Sequence, residues 1–340
     1  MDVNPVLVEA WRGGLVESRH RGAFVVCEAD GTVIVAAGDI STPVFPRSAV
    51  KAMQALALFA TGAVDRFGMS DEEIALACAS HHGEEVHTRR VANLLERLGL
   101  GPQVLECGAH QPNNDAARHA LREAGAAPSA RHNNCSGKHA GMLADTLALG
   151  AAPAGYVERT HPTQVAVRGA IERAIGQELS EDRVGIDGCS IPTWAAPLRA
   201  FATGFARMAT GKGLSPDDAA AAQRIFDAAT ANPLLVAGTG HFDTVVMEAF
   251  GGRIMHKGGA EGVQCGAIRD LSLGYAIKCE TGNMAASQII AAELLLALSD
   301  PDDAERAVLE EFRSQPLLNV RKIAVGDVRG SEALKAALAG

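Results

Sequence analysis

Hydrophobic positions in residues 5–37 come in short runs broken by turn residues, the pattern of strands. Ala23-Phe24-Val25-Val26-Cys27 and Thr32-Val33-Ile34-Val35-Ala36 flank Glu28-Ala29-Asp30-Gly31, whose Asp-Gly step favours a hairpin. The period then changes. Val50, Met53, Ala57 and Ala60 fall at helical spacing, with Pro46 suited to the first turn and Gly62 to a stop. From about residue 71 to 232 the pattern predicts alanine-rich helices over 71–77, 84–98, 115–124, 138–149, 163–175, 195–209 and 216–231, separated by Gly and Pro. Strands are predicted again over 242–250, 253–257, 262–268 and 275–278. A strongly apolar helix over 285–298, a second over 302–312 and a short strand near 322–325 complete the reading.

Strands, a long helical insert and strands again make an α+β chain. A sheet cannot bury its face from one end of the sequence alone, so the terminal segments are expected to share one sheet. A sheet lobe of approximately 1–45 and 240–340 would then face a helical lobe of approximately 46–239 across a cleft, all within one unit of 340 residues. No repeat, linker or low-complexity tract divides it.

Composition narrows the function classes. A chain of 35.3 kDa with 47% hydrophobic and 21% charged residues can bury a sizeable core, which excludes disorder. A net charge of −9 and the lack of any Lys/Arg run argue against a nucleic-acid partner. The longest apolar run, near 289–298, is interrupted by Glu293 and too short to span a bilayer, so no membrane role is expected. The first residues lack the basic and apolar pattern of a signal peptide. Seven cysteines, an odd number, then read as thiols, metal ligands or core residues, and a cytoplasmic protein is expected.

Polar residues concentrate in a few loop-like segments of this alanine-rich chain. In Pro46-Arg47-Ser48-Ala49-Val50-Lys51, a serine and a lysine three apart share one helix face, so the lysine can take the hydroxyl proton that a serine nucleophile must lose. A helix start also offers backbone N–H groups to developing negative charge. The same spacing suits an N-cap serine and a solvated lysine. The other segments are Ala79-Ser80-His81-His82-Gly83-Glu84-Glu85-Val86-His87, 133–139, 186–192 and 256–262. Ser80 also fits a helix cap with Glu84 nearby. Cys135 and Cys189, in polar, glycine-containing loops, could be thiolate ligands for Zn²⁺, although no C-x-x-C pair supports this and His81, His82, His87 and His139 follow no metal-ligand spacing.

Together with Trp11-Arg12-Gly13-Gly14-Leu15-Val16-Glu17-Ser18, these segments in this order resemble the rhizobial-type, or asparaginase-II-like, L-asparaginases, a family distinct from the threonine-dependent asparaginases. The resemblance implies a fold like the serine β-lactamases and penicillin-binding proteins, with an antiparallel sheet and a helical lobe. It implies hydrolysis of L-asparagine to L-aspartate and ammonia, in a homodimer. Ser48 with Lys51 matches the first serine–lysine pair and Ser80 with Lys257 the second. Lys257-Gly258-Gly259 stands where β-lactamases have K-T-G, so penicillin hydrolysis is not expected. Cys135, Lys138 and Cys189 match zinc ligands, with water completing the site; Lys138 would have to bind as the neutral amine. Arg47, Asn133 and Asp187 match positions lining the substrate pocket. Ser48, with its lysine close in sequence, is expected to be the nucleophile and Ser80 a proton relay. Three other readings stay open: an amidohydrolase acting on glutamine or a β-lactam, a zinc-hydroxide hydrolase centred on Cys135 and Cys189, and an amino-acid-binding module.

Overall fold

Residues 4–339 are described by a computed structural model. β1 (Val6–Arg12), β2 (Leu15–Cys27) and β3 (Val33–Ala37) open the chain, and two small two-stranded pairs lie further on: β4 (Pro43–Val44) with β7 (Ala196–Pro197), and β5 (Val184–Ile186) with β6 (Pro192–Trp194). The late strands are β8 (Ile254–Gly259), β9 (Val263–Ile268), β10 (Leu273–Cys279), β11 (Ser314–Leu318) and β12 (Ala324–Gly330). Eight strands from the two ends form one antiparallel sheet of order β11-β12-β1-β2-β10-β9-β8, with β3 also on β2. This is the α+β architecture that the strand–helix–strand order predicts.

The insert contains α1 (Lys51–Gln54), α2 (Leu56–Ala60), α3 (Ala63–Phe67), α4 (Asp71–Ala77), α5 (Glu85–Arg97), α6 (Asp115–Glu123), α7 (Ser136–Ala148), α8 (Pro162–Ile175), α9 (Leu198–Thr210), α10 (Pro216–Ala231) and α11 (Pro233–Ala237). The later helices are α12 (Phe242–Ala249), α13 (Met284–Leu298), α14 (Asp303–Arg313) and α15 (Glu332–Ala339). Successive side chains of a strand point to opposite faces. In β2, Ala23, Val25 and Cys27 therefore join the core shared with the helical insert, while Phe24 and Val26 join a second core beneath α12 and α13. Both faces are covered, which is why this strand reads as a continuous apolar run. Among the described residues no helix is long and apolar enough to cross a membrane.

Two expectations are corrected. Residues 242–250, predicted as a strand, instead hold helix α12 (Phe242–Ala249), with Phe250 as its C-cap. The His241 side chain caps it by accepting from the Asp243 N–H at 3.2 Å, and Phe242, Val246 and Phe250, four apart, enter the second core on one face. The stretch after Pro46 is not one helix either. A 3₁₀ turn, Arg47–Val50, precedes α1 and α2, and Gly62 in the left-handed conformation follows α2.

Candidate active site

Ser48 is half-buried on the 3₁₀ turn, and Lys51 is the first residue of α1. Side chains at i and i+3 eclipse on a 3₁₀ turn, so the two share a side even without a continuous helix. Arg47 has φ +52°, a left-handed conformation that is unusual for a side-chain-bearing residue. Its Nε donates to Asp187 Oδ1 at 2.6 Å, which anchors the turn to the loop between β5 and β6. Burial alone would raise the Asp187 carboxyl, but Lys138 and Arg47 outweigh it and hold the group below the ordinary aspartate range. A cavity of about 450 Å³ borders Arg47, lined also by Phe45, Ile186, Glu261 and Lys278.

Three lysines are almost fully buried: Lys51 at 1% exposure, Lys257 at 1% and Lys138 at 3%. The Lys51 amine donates to Ser80 Oγ at 2.9 Å, to Cys135 Sγ at 3.1 Å and to the Ala79 carbonyl. Burial lowers its pKa below the ordinary lysine value; the Cys135 thiol opposes that shift and the Lys138 and Lys257 charges reinforce it. Lys257, on β8, donates instead to Asp243 Oδ2 at 2.9 Å and to the Gly258 carbonyl at 2.7 Å. The resemblance pairs Ser80 with Lys257; in the structure the hydrogen bond to Ser80 comes from Lys51. The end of β8 touches the Ser48 turn so closely that a Cβ on Gly259 would stand 2.7 Å from the Pro46 carbonyl oxygen and 2.8 Å from the Ala49 nitrogen.

Cys135 precedes α7 and Lys138 lies in its first turn, which brings both to the loop bearing Cys189. Lys138 Nζ lies 2.9 Å from Cys189 Sγ, and all three residues are no more than 4% exposed. The neighbouring Cys189 thiol and the Lys51 and Lys138 charges lower the Cys135 thiol well below the ordinary range despite burial. Burial disfavours the charge of Lys138, but Cys189 and Cys135 beside it raise its pKa overall, so a metal ion must displace a firmly held proton there. Two sulfurs and one nitrogen, from the start of α7 and the loop bearing Cys189, are a donor set of the kind zinc takes. Among the described residues no group of three or more His, Cys, Asp or Glu side chains could hold a metal, so the set depends on its lysine.

Asn133 is engaged with the backbone: it donates to the Cys107 and Gly108 carbonyls at 2.8 and 3.1 Å and accepts from the Cys135 N–H at 2.8 Å. It fixes the loop that carries Cys135. Sequence reasoning missed Asp243, hidden in an apolar run. It also missed the stacked His81 and His87 rings, 4.7 Å apart, with His81 Nε2 at 2.9 Å from Ser136 Oγ.

Residues 8–330 match the family described as L-asparaginase II. No curated protein matches the chain. Similar solved structures include a β-lactamase from Mycobacterium bovis at 14% identity and TM-score 0.40, covering 86% of this chain and 94% of that one. They also include Mglu in its native form, at 16% identity and TM-score 0.43, covering 92% and 69%. Mglu in 4.3 M NaCl is similar at 16% identity and TM-score 0.45, covering 88% and 67%.

Proposed function

The chain belongs to the L-asparaginase II family and is an amidohydrolase; from that premise we propose that it hydrolyses L-asparagine to L-aspartate and ammonia through a serine acyl-enzyme. The observation that carries this reading is the buried Lys51 amine, 2.9 Å from Ser80 Oγ and three residues after Ser48 in the chain. Substrate enters by the cavity bordering Arg47, and the Arg47–Asp187 pair orients it. Lys51 takes the Ser48 hydroxyl proton as Oγ attacks the side-chain amide carbon. As the C–N bond breaks, the proton passes from Lys51 through Ser80 to the leaving nitrogen, which departs as ammonia. Water then attacks the ester: Lys51 takes its proton, the Ser48 oxygen leaves and recovers a proton, and aspartate is released. Cys135, Lys138 and Cys189 would hold one Zn²⁺, which supplies a fixed positive charge beside the pocket, while every proton above moves between protein groups.

The 2.9 Å contact also favours a second reading, in which Ser80 is the nucleophile and Lys51 its base. Ammonia release from L-asparagine, with L-glutamine assayed beside it, tests the substrate. Mass spectrometry after rapid quenching is expected to find the aspartyl adduct on the peptide containing Ser48, and Ser48→Ala is expected to lower kcat by about 10³-fold or more. An adduct on the Ser80 peptide would transfer the nucleophile there. A nearly active Ser48→Ala that chelation silences would favour a zinc-bound hydroxide.

A further inference from the structure

Asp243 is a fully buried carboxylate inside the apolar run Phe242–Ala249. Burying a charge is costly unless it is paired, and a well-packed apolar pair of similar volume serves stability as well or better. The ion pair with Lys257 therefore calls for an explanation other than stability. Asp243 Oδ2 accepts two hydrogen bonds, from Lys257 Nζ at 2.9 Å and from the Gly258 N–H at 3.0 Å. One oxygen thus fixes both the amine and the strand backbone that carries it. Oδ1 is buried with no hydrogen-bond partner; His241 Nδ1 lies 3.4 Å and His256 Nε2 3.7 Å from it. His241 Nδ1 already accepts the Asp243 N–H, and His256 Nε2 is satisfied by Gln264. Lys257 is consequently the cation this carboxylate serves.

The glycines beside it complete the arrangement. A Cβ on Gly258 would stand 3.2 Å from Asp243 Oδ1 and 3.0 Å from Gln264 Oε1, so the carboxylate and an amide crowd the space a threonine would need. Gly259 in turn lies against the turn bearing Ser48. We propose that Asp243 is the positioning residue for Lys257, holding its amine at a fixed place relative to Ser48 during amide hydrolysis. The inference rests on the asparaginase reading above.

The test is a double-mutant cycle on ammonia release from asparagine, using the full-length protein with folding checked by circular dichroism. Asp243→Asn and Lys257→Met are each expected to lower kcat by about 100-fold, the scale of a small misplacement within a site, with KM within about threefold of wild type. The double variant, which leaves no buried charge unpaired, is expected to match Lys257→Met within about threefold. Should Asp243→Asn fail to fold, Gly258→Ala replaces it and is expected to lower kcat in the same direction by crowding the carboxylate. Turnover of the Asp243 variant, or of its substitute, within about threefold of wild type overturns the inference, as does a double variant whose loss is the product of the single losses. A wild-type protein with no turnover overturns the parent reading and this inference with it. Wild-type turnover with an unaffected variant overturns only the inference.

Discussion

Lys51 and Lys257 are equally buried, yet one faces a hydroxyl, a carbonyl and a thiol while the other faces a carboxylate. Residue type and exposure do not separate their roles; partners do. His256 shows how far partners specify a protonation state. Tyr275 donates to its Nδ1 at 2.7 Å, its Nε2 donates to Gln264 Oε1 at 2.9 Å, and Gln264 passes the chain to Ser287 at 2.8 Å. Every member is satisfied only with a neutral ring. Burial pushes the His256 pKa down to about 4 from an ordinary value of 6.5, so the unfolded chain binds the proton more tightly. The stability this group contributes is complete above pH 6.5 and is lost as pH falls toward 4. Urea titrations are expected to show about 2 kcal/mol less stability at pH 5 than at pH 7.5 from this residue. His256→Gln should flatten that part of the decline, and an unchanged decline would place its source elsewhere. Ser48, Lys51, Ser80, Cys135 and Cys189 stood out as candidates because polar segments are sparse in this alanine-rich chain, while the roles proposed for them come from the family resemblance. Asp243 was not, because nothing in Phe242-Asp243-Thr244-Val245-Val246 announces that its carboxylate turns inward.

Between elements, the contact that sets the site is β8 against the Ser48 turn. Sequence spacing placed Ser48 and Lys51 on the same side, and a 3₁₀ turn preserves that relation. It could not show that Arg47 takes a left-handed conformation, since the partner that holds it, Asp187, is far away in the chain. The α12 error has a similar origin: β-branched residues argue locally for a strand, while Phe242, Val246 and Phe250 gain burial only as a helix. Gly259→Ala probes the strand–turn contact directly. Its methyl would meet the Pro46 oxygen at 2.7 Å and the Ala49 nitrogen at 2.8 Å, both backbone atoms with little room to yield. We expect about 1–3 kcal/mol of destabilisation in thermal melts, typical of overpacking. A fall of about 100-fold in kcat is also expected as Ser48 shifts relative to Lys257. Turnover that survives intact would mean that this contact does not align the site.

Across the whole molecule, two large cores on opposite faces of one sheet are expected to hold the fold without a metal. Protein purified without chelator is expected to carry one zinc per chain by elemental analysis and to sediment near twice 35.3 kDa, as the proposed homodimer. Cys135→Ala or Cys189→Ala should raise KM markedly while shifting Tm little. Metal-free protein would count against the zinc proposal, and a purely monomeric boundary against the dimer. The same sheet also imposes an order of assembly. β2 pairs with β10, Phe24 opposite Ile277, across most of the chain. A ribosome releases Ser48, Lys51 and Ser80 well before Asp243 and Lys257, and during that interval β2 lacks its β10 neighbour. Its Ala23–Cys27 segment, apolar on both faces, is then an open edge of the kind that aggregates. On the proposed roles of Asp243 and Lys257, the site cannot be complete before β10 has been made and has covered that edge.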